Sequence, residues 1–354
     1  MTKQQPVLII LIPGFAASEA DTTCLPAQQL LVKAFNQLYP ELKIIITAFQ
    51  YPFTNDEYEW YGNRVIPFNG TNKKKLYRLR VWIKVWLKLR RLNKENNIIG
   101  VFSCWCGECA LVGQYFSKMH RLKHFIWICG QDAKTTNKLV KLIRPEANSL
   151  VAISDFLVEA FFHNHQIKPA HTIPIGIDPK VYSIDNLTEK DIDIIGVGSL
   201  IALKQYAIFI EIIRELKQYL PDIKVILCGG GPEKEALQNM IVNGGLQHNL
   251  LLTGEVQHDE VLALMRRSKV LLHPSAYEGF GAVCMEALFA GAHVISFVKP
   301  LHKEIKHWHI VDDKQAMQQK TLEILSNTNN DFSPVLVNDV NASATALMQL
   351  FGYA

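Results

Sequence analysis

Short, uninterrupted apolar runs separated by helix-length segments recur along this chain, and that alternation most narrows its fold. Residues 7–12, 44–48, 98–102, 125–128 and 150–153 form such runs in the first half; 192–197, 225–227, 250–253, 270–273 and 294–297 form them in the second. Between them lie segments of helical periodicity, among them 28–38, 207–219, 233–243 and 258–267. A strand with one wet face alternates apolar and polar residues. A strand apolar throughout is covered on both faces, as in parallel sheets flanked by helices. At 354 residues and 49% apolar, the chain is too long for one small core. The pattern predicts an α/β protein of two doubly wound parallel-sheet domains, 1–180 and 181–330. Residues 331–354 are expected to pack back on them, with a helix at 343–351. The boundary is expected within 174–187, where Pro174, Gly176 and Pro179 interrupt the periodicity.

Other classes fall away. The longest apolar stretch, 6–17, is well short of the roughly 18 to 20 residues needed to span a bilayer. Lys3 and the run at 7–12 look like a secretion signal, but Pro13-Gly14 ends that run after six residues, where about 7 to 15 are usual. A buried first strand closing on a glycine turn is the better reading. Seven cysteines, an odd number, then predict reduced thiols and a cytoplasmic setting.

In open α/β sheets, ligands sit beyond the carboxyl ends of the strands. Ser275-Ala276-Tyr277-Glu278-Gly279-Phe280-Gly281 follows the run ending at His273-Pro274, and helix-compatible residues continue to Gly291. The turn 279–281 thus opens a helix whose first N–H groups lack intrahelical acceptors. Such an end attracts anions, and glycine lets a phosphate come close. Glu278 lies just outside the turn and Glu286 one to two helical turns beyond. At ~1.5 Å per residue the two carboxylates stand about 10 Å apart, which suits hydroxyls at opposite ends of an extended ligand. A solvated helix acid is the plain alternative for Glu286, but Met285, Ala287 and Leu288 around it favour burial, and a buried acid needs a partner.

Gly196-Val197-Gly198-Ser199-Leu200 is a second strand-to-turn junction, with Lys204 near the next helix start. Ile201 stands where a dinucleotide fingerprint needs a third glycine, so Lys204 as counter-ion to a diphosphate is the stronger reading. Gly229-Gly230-Gly231 implies positive φ angles or close approach of another group, most simply a base or ribose. Thr253-Gly254-Glu255-Val256 ends a further strand nearby.

In order and spacing these residues resemble the retaining GT-B glycosyltransferases of glycosyltransferase family 4. The resemblance spans about 195 to 297: Val197-Gly198-Ser199-Leu200 with Lys204, Gly229-Gly230-Gly231-Pro232, Thr253-Gly254-Glu255-Val256, Pro274-Ser275, and Glu278 with seven residues between it and Glu286. Ile173-Pro174-Ile175-Gly176-Ile177-Asp178 also resembles the family's hinge, with Ile175 in place of the usual asparagine. It implies two Rossmann-like domains facing a cleft, a nucleotide-diphosphate sugar as donor, and no cofactor or metal. The implied reaction is transfer to a glycan, lipid-linked saccharide or small molecule with retention of configuration. Lys204 and the amides of Gly279, Phe280 and Gly281 would hold the diphosphate, Glu278 the sugar hydroxyls and Glu286 the ribose. Gly198, Ser199, Gly229, Gly230 and Val256 would line the donor, and Gly14, after the first strand, would face its phosphates. A lysine and oriented amides awaiting the leaving diphosphate lower the barrier without a metal.

The chain departs from the family at two places. Ser199 replaces its usual arginine, leaving Lys204, or Lys299 as a substitute, to meet the phosphates. Cys129, before Gly130, stands where the family often has a histidine, which makes Asp132 and Gln131 the polar candidates there, Asp132 as a catalytic group. Two rival functions follow: a nucleotide-sugar-binding protein without turnover, and a nucleotide-sugar epimerase or hydrolase of the same fold. Cys104, Cys106 and Cys109 lack an evident fourth zinc ligand beyond Cys129 or His120, and reduced thiols in a loop are the favoured reading.

Net charge is +4, yet residues 73–94 hold ten lysines and arginines and no acid. On a helical wheel Arg80, Lys84, Lys88 and Arg91 fall within about 80°, and apolar residues including Trp82 and Trp86 fill most of the rest. An anionic lipid surface suits this pattern, each cation adding ~1 kcal/mol, and would place the protein on the inner face of the membrane. A largely buried helix with one solvated basic edge is the other reading. No aromatic-and-basic groove recurs to suggest nucleic acid.

Overall fold

The apolar runs become the middle strands of two parallel sheets. The computed structural model describes residues 5–71, 76–180 and 189–353; Lys73, Lys74 and Lys75 and part of the expected boundary, 181–187, lie outside them. The chain divides into Met1–Gly176 with Val340–Ala354, and Ile177–Asp339.

The first unit contains β1 (Pro6–Gly14), α1 (Pro26–Leu38), β2 (Lys43–Tyr51), β3 (Tyr58–Trp60), β4 (Asn63–Pro67), α2 (Leu76–Glu95), β5 (Asn97–Cys104) and α3 (Glu108–His120). It continues through β6 (Lys123–Ile128), α4 (Val140–Ile143), β7 (Leu150–Ala152), α5 (Asp155–His165) and β8 (His171–Thr172). The strand order is β3-β4-β2-β1-β5-β6-β7-β8, and every neighbour is parallel except the hairpin β3–β4.

The second unit contains β9 (Ile192–Val197), α6 (Tyr206–Leu216), β10 (Val225–Cys228), α7 (Lys234–Asn243), β11 (Leu250–Gly254), α8 (His258–Arg267) and β12 (Ser268–His273). There follow α9 (Ala282–Phe289), β13 (His293–Ser296), β14 (Trp308–Ile310) and α10 (Lys314–Ser326). Its order is β11-β10-β9-β12-β13-β14, all parallel. The chain winds outward from β9 through β10 to β11, then returns to β12 on the other side of β9. The crevice of such a sheet opens where the winding reverses, beyond the ends of β9 and β12.

The last helix, α11 (Val340–Phe351), belongs to the first unit. A Cβ at Gly100 in β5 would come 2.5 Å from the Phe351 ring, so the glycine makes room for the helix. The Lys123 ammonium donates to the Phe351 carbonyl at 2.8 Å, and the Ser343 hydroxyl to the Pro174 carbonyl at 2.8 Å.

In α2 the structure shows which side of the wheel is buried. Val81, Val85, Leu89 and Leu92 enter the core with Val7, Ile9, Leu11 and Phe116. Both tryptophans lean inward: Trp82 donates its indole N–H to Glu108 at 2.7 Å, and Trp86 meets the Phe116 ring edge-on at 5.9 Å. Lys88 pairs with Glu57 at 2.5 Å and Arg91 with Glu95 at 2.8 Å. Among the described residues no helix is long and apolar enough to cross a membrane.

Candidate functional site

The turns beyond β9 and β12 are joined directly, Ala276 N–H donating to the Leu203 carbonyl at 3.0 Å. That bond brings Lys204 and Glu278 together, with their ammonium nitrogen and carboxylate Oε2 2.5 Å apart. His273, the last residue of β12, gives the same Oε2 its Nε2–H at 3.1 Å. Both donors use one oxygen, and among the described residues nothing bonds Oε1. Burial opposes ionisation of Glu278, but His273 and Lys204 outweigh it and bring its carboxyl down to about 2. Burial, with Lys204 adding to it, keeps His273 below its ordinary value despite Glu278, so a neutral imidazole facing a carboxylate is the donor.

Gly281, at φ 87°, turns the chain into α9, where no side chain caps the helix. A Cβ there would lie 3.1 Å from the Cys284 sulfur and 3.5 Å from the Glu278 side chain, so Glu278 stands at the mouth of the helix. Lys204 also reaches the Gly198 turn: a Cβ on Gly198 would stand 3.7 Å from its Cε. Gly198, Lys204, Glu278 and Gly281 are therefore brought together. Two buried hydroxyls flank them, Tyr206 and Ser275, and neither finds a partner among the described residues. Orphaned buried polar groups cost about 1–3 kcal/mol each, which marks the spot as polar beyond the needs of folding.

The glycine run shows the expected positive φ angles at Gly229 and Gly231, and the close approach is by the chain itself. A Cβ on Gly229 (φ 149°) would lie 1.9 Å from the Gly198 carbonyl oxygen, and one on Gly231 (φ 152°) 2.5 Å from that of Leu200. The group admitted so closely is the chain's own 198–200 turn, bonded by Leu200 N–H to the Gly230 carbonyl at 2.8 Å. Gly230 faces the Glu255 side chain, and Gly229 N–H donates to the Gly254 carbonyl at 2.8 Å. Val256 follows, half-buried, and Ser199 is exposed. Phe280 is a core residue whose ring meets Trp308 edge-on, leaving its backbone as the part able to face a ligand.

Glu286 is buried in α9, where its Oε1 meets Nε2 of His258, the first residue of α8, at 2.9 Å. Glu286 holds the His258 imidazole above its ordinary value, against burial. Lys299 lines a concavity of about 350 Å³ with Lys303, His307, Trp308 and His309, whose lining includes neither Lys204 nor Glu278.

In the first unit, Gly14 ends β1 against Tyr51 and Cys24. Asp132 lies beyond β6. Its carboxylate is buried and accepts N–H bonds from Cys106 at 2.8 Å, Gly130 at 2.8 Å and Cys129 at 3.2 Å. Burial pushes its carboxyl up, against those amides. Asp132 pins two loops together; Gln131 beside it is exposed. Cys104, Cys106 and Cys109 are buried and unpaired, with thiols pushed up by burial, and no three His, Cys, Asp or Glu among the described residues are placed to hold a metal. His273, Tyr206 and His258 escaped the sequence reading. The legible signal was a histidine ending a strand five residues before Glu278.

Residues 182–331 match the family model described as Glycosyl transferases group 1. The match covers less than half of the chain and lies wholly within the second unit. The 2-deoxystreptamine N-acetyl-D-glucosaminyltransferase of Niallia circulans is 31% identical over 103 residues, 29% of this chain and 26% of that protein. The gpi3 subunit of the Schizosaccharomyces pombe phosphatidylinositol N-acetylglucosaminyltransferase is 30% identical over 170 residues, 46% of this chain and 36% of that protein. The chain thus aligns with about a quarter to a third of the length of these curated relatives. The crystal structure of Anabaena HepE in complex with UDP and glucose superposes with a TM-score of 0.66 at 16% identity, covering 97% of this chain and 95% of that one. That likeness is one of fold: two parallel-sheet units in the GT-B arrangement of its structural neighbours.

Proposed function

We propose that the group 1 character of the second unit extends to the activity of the chain, which moves a sugar from a nucleotide-diphosphate sugar to an acceptor with retention of configuration and without a metal, as in glycosyltransferase family 4. One observation carries this reading: Lys204 and Glu278 meet at the uncapped mouth of α9, at the point where the winding of the second sheet reverses. When the sugar–phosphate bond breaks, negative charge collects on the diphosphate. An ammonium and the first amides of a helix stabilise that charge without reorganising. Glu278 is ionised and its Oε1 is open, which suits it to accept from a sugar hydroxyl. Glu286, steadied by His258, has Oε2 to offer a ribose.

The names of the two relatives and of the HepE complex make UDP-N-acetylglucosamine and UDP-glucose the first donors to try. A thermal-shift panel of nucleoside diphosphates and their sugars tests the site, since ligands stabilise the state they bind. One of them should raise the melting temperature, and Lys204→Ala should weaken its binding by over about 1 kcal/mol, the loss of a charge-assisted bond. Wild-type affinity in that variant, or no shift with any member of the panel, refutes the assignment. Transfer should survive a chelator, and the product anomer should match the donor's. A second reading, donor binding without turnover, draws on the saturation of Asp132; it requires binding with no release of nucleoside diphosphate under any acceptor.

A further inference from the structure

The outward face of α2 has an arrangement that packing within the first unit leaves unused. Leu79, Ile83 and Leu87 recur every fourth residue and are 50%, 52% and 57% exposed, although Val81, Val85, Leu89 and Leu92 of the same helix are buried. At ~1.5 Å per residue they form a ridge about 12 Å long. On the wheel, Arg90 and Lys94 interleave with this ridge, and Arg80, Arg91 and Lys84 run along one side, all within an arc of about 140°. Arg80, Lys84, Arg90 and Lys94 are exposed, and no ion pair among the described residues engages them. The single acid at the edge of the arc, Glu95, pairs with Arg91.

An apolar ridge on a solvated helix costs free energy unless something covers it. The surrounding charge selects the cover. A second copy of this face would set cations against cations. A nucleic acid would meet the cations but leave the ridge wet, with no outward aromatic ring to stack on a base. An anionic bilayer satisfies both parts, since aliphatic side chains enter the boundary between headgroups and acyl chains while lysine and arginine stems reach up to lipid phosphates.

We propose that α2 docks the first unit on an anionic membrane surface, with Leu79, Ile83 and Leu87 inserted and Arg80, Lys84, Arg90 and Lys94 against the phosphates. Trp82 and Trp86 serve as packing beneath the ridge. Docking does not depend on transfer chemistry, so its failure would leave the proposed function standing.

The test is co-sedimentation of the full chain with vesicles of phosphatidylcholine alone and of phosphatidylcholine with phosphatidylglycerol, at low and at physiological salt. Binding should need the anionic lipid and weaken with salt. L79S/I83S/L87S should lower affinity for the anionic vesicles by about tenfold or more while keeping the wild-type melting temperature, because these side chains already face water. R80Q/K84Q/R90Q/K94Q should lower it as much and flatten the salt dependence. Three outcomes overturn the proposal: no binding to anionic vesicles at low salt, equal binding by the serine variant, or a concentration-dependent dimer that the serine variant abolishes.

Discussion

Each sheet sets a carboxylate beyond the carboxyl ends of its strands, and the two are held in opposite ways. Asp132, beyond β5 and β6, has both oxygens filled by three backbone N–H groups from two loops. Glu278, beyond β12, has one oxygen filled by two side chains, Lys204 and His273, and the other open. Burial pushes the Asp132 carboxyl up; at Glu278 burial acts the same way, but His273 and Lys204 bring it to about 2. Backbone amides belong to the fold and leave no bonding capacity over. Side-chain cations can be shared with an incoming anion. The first carboxylate is thus saturated by the fold and the second keeps one oxygen open.

The largest test of that contrast is Asp132→Ala. It leaves three buried N–H groups without acceptors, each costing about 1–3 kcal/mol, so urea unfolding should show a loss of about 3 kcal/mol or more. Donor affinity, which the proposed function rests mainly on the other unit, should be kept in whatever fraction folds. A fully stable Asp132→Ala protein that binds donor but transfers no sugar would reverse the assignment and return Asp132 to catalysis.

Glu278→Gln should do the reverse. It keeps the shape of the side chain but removes the charge, and transfer should fall about 100-fold, the scale set by loss of one preorganised electrostatic group. Its effect on stability should depend on pH with a definite sign. The folded carboxyl lies below its ordinary 4.5, so ionised Glu278 contributes stability above 4.5 and loses it as pH falls toward about 2. Wild type and variant should converge across that window. A stability gap that widens on acidification would mean that Glu278 is not the ionised partner of Lys204.

One side of this contrast is legible in the amino-acid sequence and the other is not, for identifiable reasons. The central strands can be read because burial on both faces makes them continuously apolar. The hairpin β3–β4 cannot: Tyr58–Trp60 and Asn63–Pro67 are short and mixed in character. Glu278, Lys204 and Gly281 can be read because helix entry and glycine turns have local sequence rules. The partners of Asp132 cannot, since backbone amides have no letter of their own and Cys106 lies far from it in the chain. The glycine run announces a close approach without saying whose, and the answer is residues 198–200. The wheel of α2 shows the arc of charge correctly but not which sector faces inward; the buried line of Val81, Val85, Leu89 and Leu92 decides that, and it leaves the tryptophans half-buried against the core.

The smaller effects belong to Glu286, the acid within α9. Glu286→Gln should weaken donor binding by about 1 kcal/mol while sparing turnover more than Glu278→Gln does, because a ribose contact is made equally in ground and transition states. Its partner then gives the finest test. Glu286 raises His258 above 6.5 in the folded state, so this pair contributes stability that is fully present below 6.5 and is lost as pH rises through the folded-state value. Urea unfolding of wild type and His258→Gln across that range should show a gap below about 1 kcal/mol that closes on the alkaline side. Glu286→Gln should abolish that alkaline closing or reverse its sign, because without the carboxylate burial favours the neutral imidazole. A gap constant across the range would mean that His258 stays neutral, leaving Glu278 as the one carboxylate of the site held by charge.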